Sequence, residues 1–271
     1  MRIIKIPKGN GAYRTVCAPS LHEKKLLWKH GAILHATQAA VCGPWVHGFV
    51  PGRSPVTNAL AHVGREWTLS MDLKDFFDSV TRAHLAHYLP PDVLQEVADG
   101  GILHEGVARQ GLPTSPAASN IGAAGFDETI VEWLSCQSTE IVYTRYADDL
   151  AFSWNGERGL AERIKRAVAT IAEAHGFAVN KEKTRLQSAK AGRRVICGVS
   201  VGQNDIRPTR ETRRKLRAAE HWWAKTWMVE AASARLLGKP IPSKDCLAWK
   251  KLQGLREWCS LKPPRGFVSA R

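Results

Sequence analysis

Two aspartates stand side by side in TRYADDLAFSW, residues 144 to 154, at Asp148 and Asp149. Apolar runs flank them, Ile141-Val142-Tyr143 before and Leu150-Ala151-Phe152 after. Adjacent carboxylates repel one another and resist desolvation unless a cation or hydrogen-bond donors hold them. A third carboxylate, Asp72, lies in a comparable setting in SMDLKDFFDSV. If the three meet, their hard oxygens suit Mg²⁺ or Mn²⁺. Two such ions about 4 Å apart activate a hydroxyl and stabilise the leaving oxygen in phosphoryl transfer. An isolated Asp pair in a turn is, by contrast, usually a solvated feature with local hydrogen bonds. The apolar flanks and the second acidic segment favour the metal-bearing reading. Asp75 and Asp78, in that second segment, read as caps of the turn or helix that follows.

This convergence needs a strand ending near Asp72 and a hairpin turning at the doublet. Residues 66 to 73, EWTLSMDL, have strand composition, and segments 139–145 and 150–154 form the hairpin, with Ala147, Asp148 and Asp149 in its turn. Ser20 is an N-cap for a helix over residues 20–41. Residues 55–64, 81–98 and the stretch after RQGLPTSPAASN to about 135 also read as helical. Leu160, Ile164, Val168 and Ile171 recur at helical spacing over 157–175, and Gly176 is a natural stop. Short strands are expected at 177–180, 184–187 and 194–201, and a basic helical region from Thr209 onward. Strands mixed with helices, without regular βαβ alternation, define an α+β protein with an antiparallel sheet.

The 39 Lys and Arg exceed the 25 Asp and Glu by 14, which points to a polyanionic partner, nucleic acid before a membrane surface. Arg207, Arg210, Arg213, Arg214, Lys215 and Arg217 crowd one short stretch against Glu211 alone. Lys244, Lys250, Lys251, Arg256, Lys262 and Arg265 follow, interleaved with Trp222, Trp223, Trp227, Trp249 and Trp258. Such interleaving can track a phosphate backbone. Most of these tryptophans are expected to form the core of a small helical domain, with the cations facing the ligand. The six cysteines show neither a CxxC pair nor zinc-like spacing with His, and no apolar run has the length of a membrane span. No signal peptide is read at the start, where Lys5 and Pro7 break the apolar stretch, and a reduced cytosolic protein is expected.

With these segments in place, the chain resembles reverse transcriptases, and more narrowly those of bacterial retrons. YRTVCAPSLHEKKLLW and HGFVPGRSPVTNALAH resemble the two early fingers motifs, and SMDLKDFFDSV the palm motif that supplies the first catalytic aspartate. RQGLPTSPAASNI, RYADDLAFS, GFAVNKEKTRL and VICGVSV resemble the later motifs, in order. NALAH, Asn58 to His62, matches a retron-associated NAxxH pattern. Ile196-Cys197-Gly198 stands where a VTG triplet is usual, so only its glycine is kept. No RNase H, maturase or endonuclease region is recognisable.

The resemblance implies a right-hand polymerase: fingers over 1–66 and 82–115, palm over 67–81 and 116–205, and a helical basic thumb over 206–271. Asp72, Asp148 and Asp149 would be catalytic and would bind two Mg²⁺ ions, or Mn²⁺ in their place, together with Leu73. The backbone at Leu73, with Lys74 and Asp75, would face the triphosphate. Phe77 would exclude a ribose 2′-hydroxyl, and Phe76 would pack in the core. Gln110 and Gly111 would line the nucleotide pocket, Arg53 would touch the triphosphate, and Lys183 would assist pyrophosphate departure. Asn58, His62, Arg207, Arg210, Arg213, Arg214 and Arg217 would contact nucleic acid, although His62 reads equally as a buried or capping histidine. The implied partners are dNTPs, a dedicated structured non-coding RNA serving as template and primer, its branched RNA–DNA hybrid product, and a separate effector protein in anti-phage defence; no membrane is implied. Another bacterial reverse transcriptase, or an RNA-binding protein on a retired polymerase scaffold, are the alternatives.

Overall fold

The computed structural model describes residues 1–7, 11, 13–100, 103–238 and 247–262. Lys244, Cys246 and Arg265 therefore lie outside the described residues. Strands β1 (Arg2–Pro7) and β2 (Tyr13–Ala18) precede helices α1 (Leu21–Trp28), α2 (Gly31–Val41) and α3 (Pro55–Leu60). Strand β3 (Trp67–Asp72) is followed by α4 (Phe76–Ser79), α5 (Arg82–Ala86), α6 (Pro91–Gly100), α7 (Ser115–Gly122) and α8 (Ala124–Ser135). Then come β4 (Ile141–Tyr146), β5 (Asp149–Trp154), α9 (Leu160–Ala174), β6 (Arg185–Ser188), β7 (Arg194–Ile196), β8 (Val199–Val201) and β9 (Ile206–Pro208). Helices α10 (Arg210–Leu236) and α11 (Leu247–Ser260) complete the described order.

The strands form three antiparallel sheets: β1-β2, β4-β5-β3-β6 and β7-β8-β9. In the four-stranded sheet the period of two divides the side chains into two faces. Leu69, Met71, Leu150, Phe152 and Trp154 point into the main core, with Phe126 and Ile130 of α8 and Ile164 and Val168 of α9. Full burial of a large apolar side chain such as Phe152 contributes about 2–3 kcal/mol. The opposite face carries Thr68, Ser70 and Asp72 beside Ser153, Ala151 and Asp149. Ala151 there meets Ile196, Val199 and Val201, so the β7-β8 hairpin covers the lower part of this face. The turn of that hairpin reaches the aspartate end, where Cys197 Sγ approaches Asp149 Oδ2.

Several sequence boundaries need correction. The helix expected over 20–41 is two helices; Ser20 does cap the first, with a full capping box to Glu23. A Cβ at Gly31 would stand 2.8 Å from the exposed Trp28 ring and would push it aside. The helix expected over 81–98 divides before Pro91, because proline lacks an N–H and disfavours helix at the residue before it. The helix running to about 135 changes direction at Ala123. Of the strand expected at 177–180, only the bridge from Val179 to Leu73 forms. The strand at 194–201 folds back on itself through Cys197 and Gly198, with φ of 45° and 77°. The β1-β2 hairpin was not foreseen from the sequence at all.

Candidate active site

The register of the central sheet brings the three carboxylates together. Asp72, the last residue of β3, is the direct cross-strand partner of Asp149, the first residue of β5. Asp148 occupies the β4-β5 turn with Ala147, which has a φ of 56°. The Leu73 amide donates to the Asp148 carbonyl at 2.9 Å, and the Asn180 amide donates to the Asp72 carbonyl at 2.7 Å. The backbone thus ties the β3 end to the turn and to the 178–180 segment, as the doublet's flanking strands require.

The electrostatics are those of a crowded anionic pocket. The Asp149 carboxyl is pushed up to about 6, first by the chain that hems it in and then by Asp148 and Asp72. Asp148 is raised as well, through loss of solvent and then through Asp72, while Lys183 and Arg14 oppose the shift. Lys183 Nζ binds both Asp72 oxygens, at 2.8 and 3.0 Å, and those hydrogen bonds raise its own pKa. Among the described residues no group of three or more His, Cys, Asp or Glu side chains is gathered closely enough to hold a metal ion as the side chains stand. The donor chemistry nevertheless fits a hard divalent cation. It comprises three carboxylates on adjoining backbone positions, two of them raised by loss of solvent and then by their acidic neighbours.

Around this centre Phe76 is buried, and Phe77 lies 6.0 Å, centroid to centroid, from Phe49. Phe49 is 41% exposed, has a φ of 59° and also approaches Tyr146 at 6.4 Å. An exposed aromatic in a left-handed conformation at a site marks a position the surrounding structure over-determines. Gln110 accepts the Cys17 amide through its carbonyl at 2.7 Å, and Gly111 follows with a φ of 95°. A side chain at Gly111 would overlap the Cys17 carbonyl, which explains the glycine. Lys74 is exposed, and its amide donates to Ala178. Asp75 occupies the N-cap of α4 but makes no capping hydrogen bond, and Asp78 pairs with Arg109 at 3.1 Å.

Other expectations are not met. Asn58 and His62 are fully buried, so neither reaches nucleic acid. His62 bridges Ser153 Oγ at 2.9 Å and Thr144 Oγ1 at 2.7 Å, and burial pushes its pKa down to about 3. Asn58 Nδ2 reaches Cys197 Sγ at 3.1 Å, and that sulfur stands 3.8 Å from Asp149 Oδ2. The NALAH segment, the end of α3 and the turn after it, is therefore a clamp between the β4-β5 and β7-β8 hairpins. Arg53 donates through one guanidinium nitrogen to the carbonyls of Gly43 and Val46, which ties it to its own loop.

Arg210, Arg213, Arg214 and Arg217 do come together, lining a groove of about 600 Å³ on α10, while Arg207 pairs with Asp205. Of the C-terminal tryptophans, Trp223 meets Trp249 at 5.0 Å and Trp258 packs on the β7-β8 hairpin, but Trp222 is 53% exposed.

Sequence reasoning missed Arg14, on β2, and the support beneath the turn. That support consists of Arg145, Asp127, Asn120 and Gly48. The available signal was a charged residue inside each of two apolar segments, IVYTRY and FDETIV.

A family model described as reverse transcriptase (RNA-dependent DNA polymerase) matches residues 6–238. The chain is 37% identical over 255 residues to the Retron Mx65 reverse transcriptase of Myxococcus xanthus, covering 86% of this chain and 58% of that protein. It is 32% identical over 254 residues to the Retron Mx162 enzyme of the same organism, covering 80% and 51%. It is 29% identical over 217 residues to the Retron Ec86 reverse transcriptase of Escherichia coli, covering 77% and 64%. The chain thus spans between half and two-thirds of the length of these relatives. Among solved structures, apo telomerase from Candida tropicalis superposes with a TM-score of 0.56 at 15% identity, over 77% of this chain and 54% of that one. A foamy viral protease–reverse transcriptase in complex with double-stranded DNA gives 0.52 at 18%, over 94% and 35%. These likenesses show the fold, an α+β right-hand polymerase. No helix among the described residues is long and apolar enough to cross a membrane.

Proposed function

Since the chain belongs to the reverse transcriptase family, we propose that it is an RNA-directed DNA polymerase of the retron type. The observation that carries this reading is the cross-strand pairing of Asp72 with Asp149, with Asp148 in the adjoining turn. Asp72, Asp148 and Asp149, with the backbone at Leu73, would hold the divalent ions. Bound Mg²⁺ or Mn²⁺ would supply Lewis-acid activation of the primer hydroxyl and would neutralise charge on the triphosphate.

The chain's own residues do the rest. Lys183, whose bonds to Asp72 raise its pKa, would give a proton to the departing pyrophosphate. Phe77, backed by Phe49, narrows the space beside the sugar and disfavours a 2′-hydroxyl. Gln110 and Gly111 line the nucleotide pocket, with Lys74 and Asp75 nearby. Arg210, Arg213, Arg214 and Arg217 follow the phosphates of a structured RNA by shape more than by base edges.

Fingers (1–66 and 82–115), palm (67–81 and 116–205) and thumb (206–271) remain the proposed division. On this reading the protein works in the bacterial cytoplasm. It copies a dedicated non-coding RNA from an internal 2′-hydroxyl, leaves a branched RNA–DNA hybrid, and serves phage defence with a separate effector protein. Extension of a primed RNA by the wild type with Mg²⁺ or Mn²⁺, and its loss in a chain carrying both Asp148→Asn and Asp149→Asn, is the expected result. Failure of the wild type on the nucleic acid that copurifies with it would overturn the polymerase reading. Recovery of bulk RNA without a branched hybrid would overturn the retron part alone.

A further inference from the structure

The catalytic turn rests on a guanidinium from the core side of the sheet. Arg145 is one residue before Tyr146 on β4 and is fully buried. Alternation along the strand sends its side chain away from the face that carries Asp72 and Asp149, underneath the turn. There its Nε lies 2.9 and 3.0 Å from the two Asp127 oxygens, and one terminal nitrogen lies 2.7 Å from Asp127 Oδ2. The other terminal nitrogen donates to Asn120 Oδ1 at 2.9 Å and to the Ala147 carbonyl at 3.2 Å. The guanidinium carbon also sits 5.6 Å from the centre of the Phe76 ring, next to Phe77.

Charge pairing with Asp127 alone would not require this arrangement. Ala147 holds a left-handed φ without being glycine, a conformation that persists only where its surroundings over-determine it. Its side-chain hydrogen bonds beyond Asp127 bear on that residue or, through Asn120, on the loop pressed against it. Asn120 passes the restraint on, since its Nδ2 donates to the Gly48 carbonyl at 2.8 Å. The Gly48 and His47 amides in turn donate to the Arg145 carbonyl, at 3.4 and 2.7 Å. The turn is thereby gripped from below by a side chain and from the side by a loop, and Arg145 belongs to both grips.

We propose that Arg145 is a positioning residue that fixes the Ala147–Asp148 turn, and with it the placement of the Asp148 and Asp149 carboxylates for their divalent cation and substrate. This rests on the polymerase reading above. A planar fork of five donors can serve Asp127, Asn120 and Ala147 at once, whereas the single ammonium of lysine cannot.

The test uses the full chain carrying Arg145→Lys, which keeps the buried charge beside Asp127. Folding is followed by circular dichroism, binding of Mn²⁺ alone by the electron paramagnetic resonance of the free ion, and single-nucleotide addition by kcat and KM. Loss of a residue that orients metal ligands typically costs about 10- to 100-fold in affinity or activity. A folded variant should therefore bind Mn²⁺ about tenfold more weakly and lose about 30-fold or more in kcat, with KM for the nucleotide within about threefold. A purely structural role would lower the melting temperature and leave Mn²⁺ affinity and kcat per folded molecule unchanged, and that result overturns the proposal. If Arg145→Lys does not fold, Asn120→Ser is judged by the same two readouts and against the same refuting outcome. A wild type that binds Mn²⁺ but adds no nucleotide sinks the polymerase reading. The role of Arg145 then stands or falls on the Mn²⁺ affinities.

Discussion

Replacing Gly48 with alanine should cripple nucleotide addition while leaving the chain folded. Gly48 needs no unusual φ; what it provides is room. A Cβ built there would overlap the Ala147 amide nitrogen and stand 3.0 and 3.2 Å from the carbonyl carbon and Cα of Tyr146, where ordinary contact begins at 3.4 Å. All three atoms are backbone, so no side chain can swing aside. Either the 43–52 loop or the Tyr146–Ala147 backbone must retreat by a distance on the order of 1 Å, and a misplacement of that size can cost about 100-fold in rate. A factor of 100 corresponds to about 2.7 kcal/mol of lost transition-state stabilisation. The assay is single-nucleotide extension of a primed RNA under saturating dNTP, with active sites counted by burst amplitude and folding checked by thermal melting. A folded Gly48→Ala protein with kcat within about threefold of wild type would refute the reasoning, because the turn would then tolerate a displacement that this geometry makes unavoidable.

Asp127→Ala leaves Arg145 charged and unpaired in the core, where breaking one side of a buried ion pair costs about 3–5 kcal/mol. For a chain of this size that lowers the melting temperature by roughly 10 °C, and calorimetry of the two proteins checks it. Asp149→Asn should raise thermal stability in EDTA at pH 7.5, because the folded protein holds that carboxyl at about 6 against the ordinary 3.8 and so resists its charged form. The gain should shrink as the pH falls through 6 and vanish only below 3.8, where both states carry the proton. An unchanged difference between the two melting curves over that range would contradict the sign of the shift.

The chemistry of the site was more legible in the sequence than its foundations. Asp72, Asp148 and Asp149 are legible because apolar flanks and a second acidic segment set them apart from an ordinary solvated Asp pair, and the register then brings them together. Helix corners were harder to read. His30-Gly31 looks like helix by composition, yet α1 ends at Trp28 and α2 begins at Gly31. The β1-β2 hairpin, with Arg14 on it, escaped because Lys5 and Pro7 look like the end of an apolar run, when in fact they lie along a mostly exposed strand. The NAxxH resemblance points Asn58 and His62 toward nucleic acid, while the residue pattern leaves His62 equally a buried or capping histidine, and burial decides for the latter. Their roles appear only when residues far apart in sequence, Thr144, Ser153 and Cys197, are seen to close around them.

The hydrogen bonds that radiate from His62 have an evolutionary consequence. Thr144 and Ser153 hold its two ring nitrogens, Ser153 also meets Thr68 Oγ1 at 2.8 Å, and Arg194 donates to that same Thr68 oxygen at 3.2 Å. These residues come from the turn after α3 and from four strands, all out of reach of water. Changing one strands its neighbours with unmet hydrogen bonds at about 1–3 kcal/mol each, whereas exchanging the set for apolar groups of matching shape is close to neutral. Sequence drift at these positions is therefore epistatic: a lineage can cross from one solution to another only through concerted change. A His62 moved singly into a related scaffold will behave as a lesion unless Thr144, Ser153 and Thr68 travel with it.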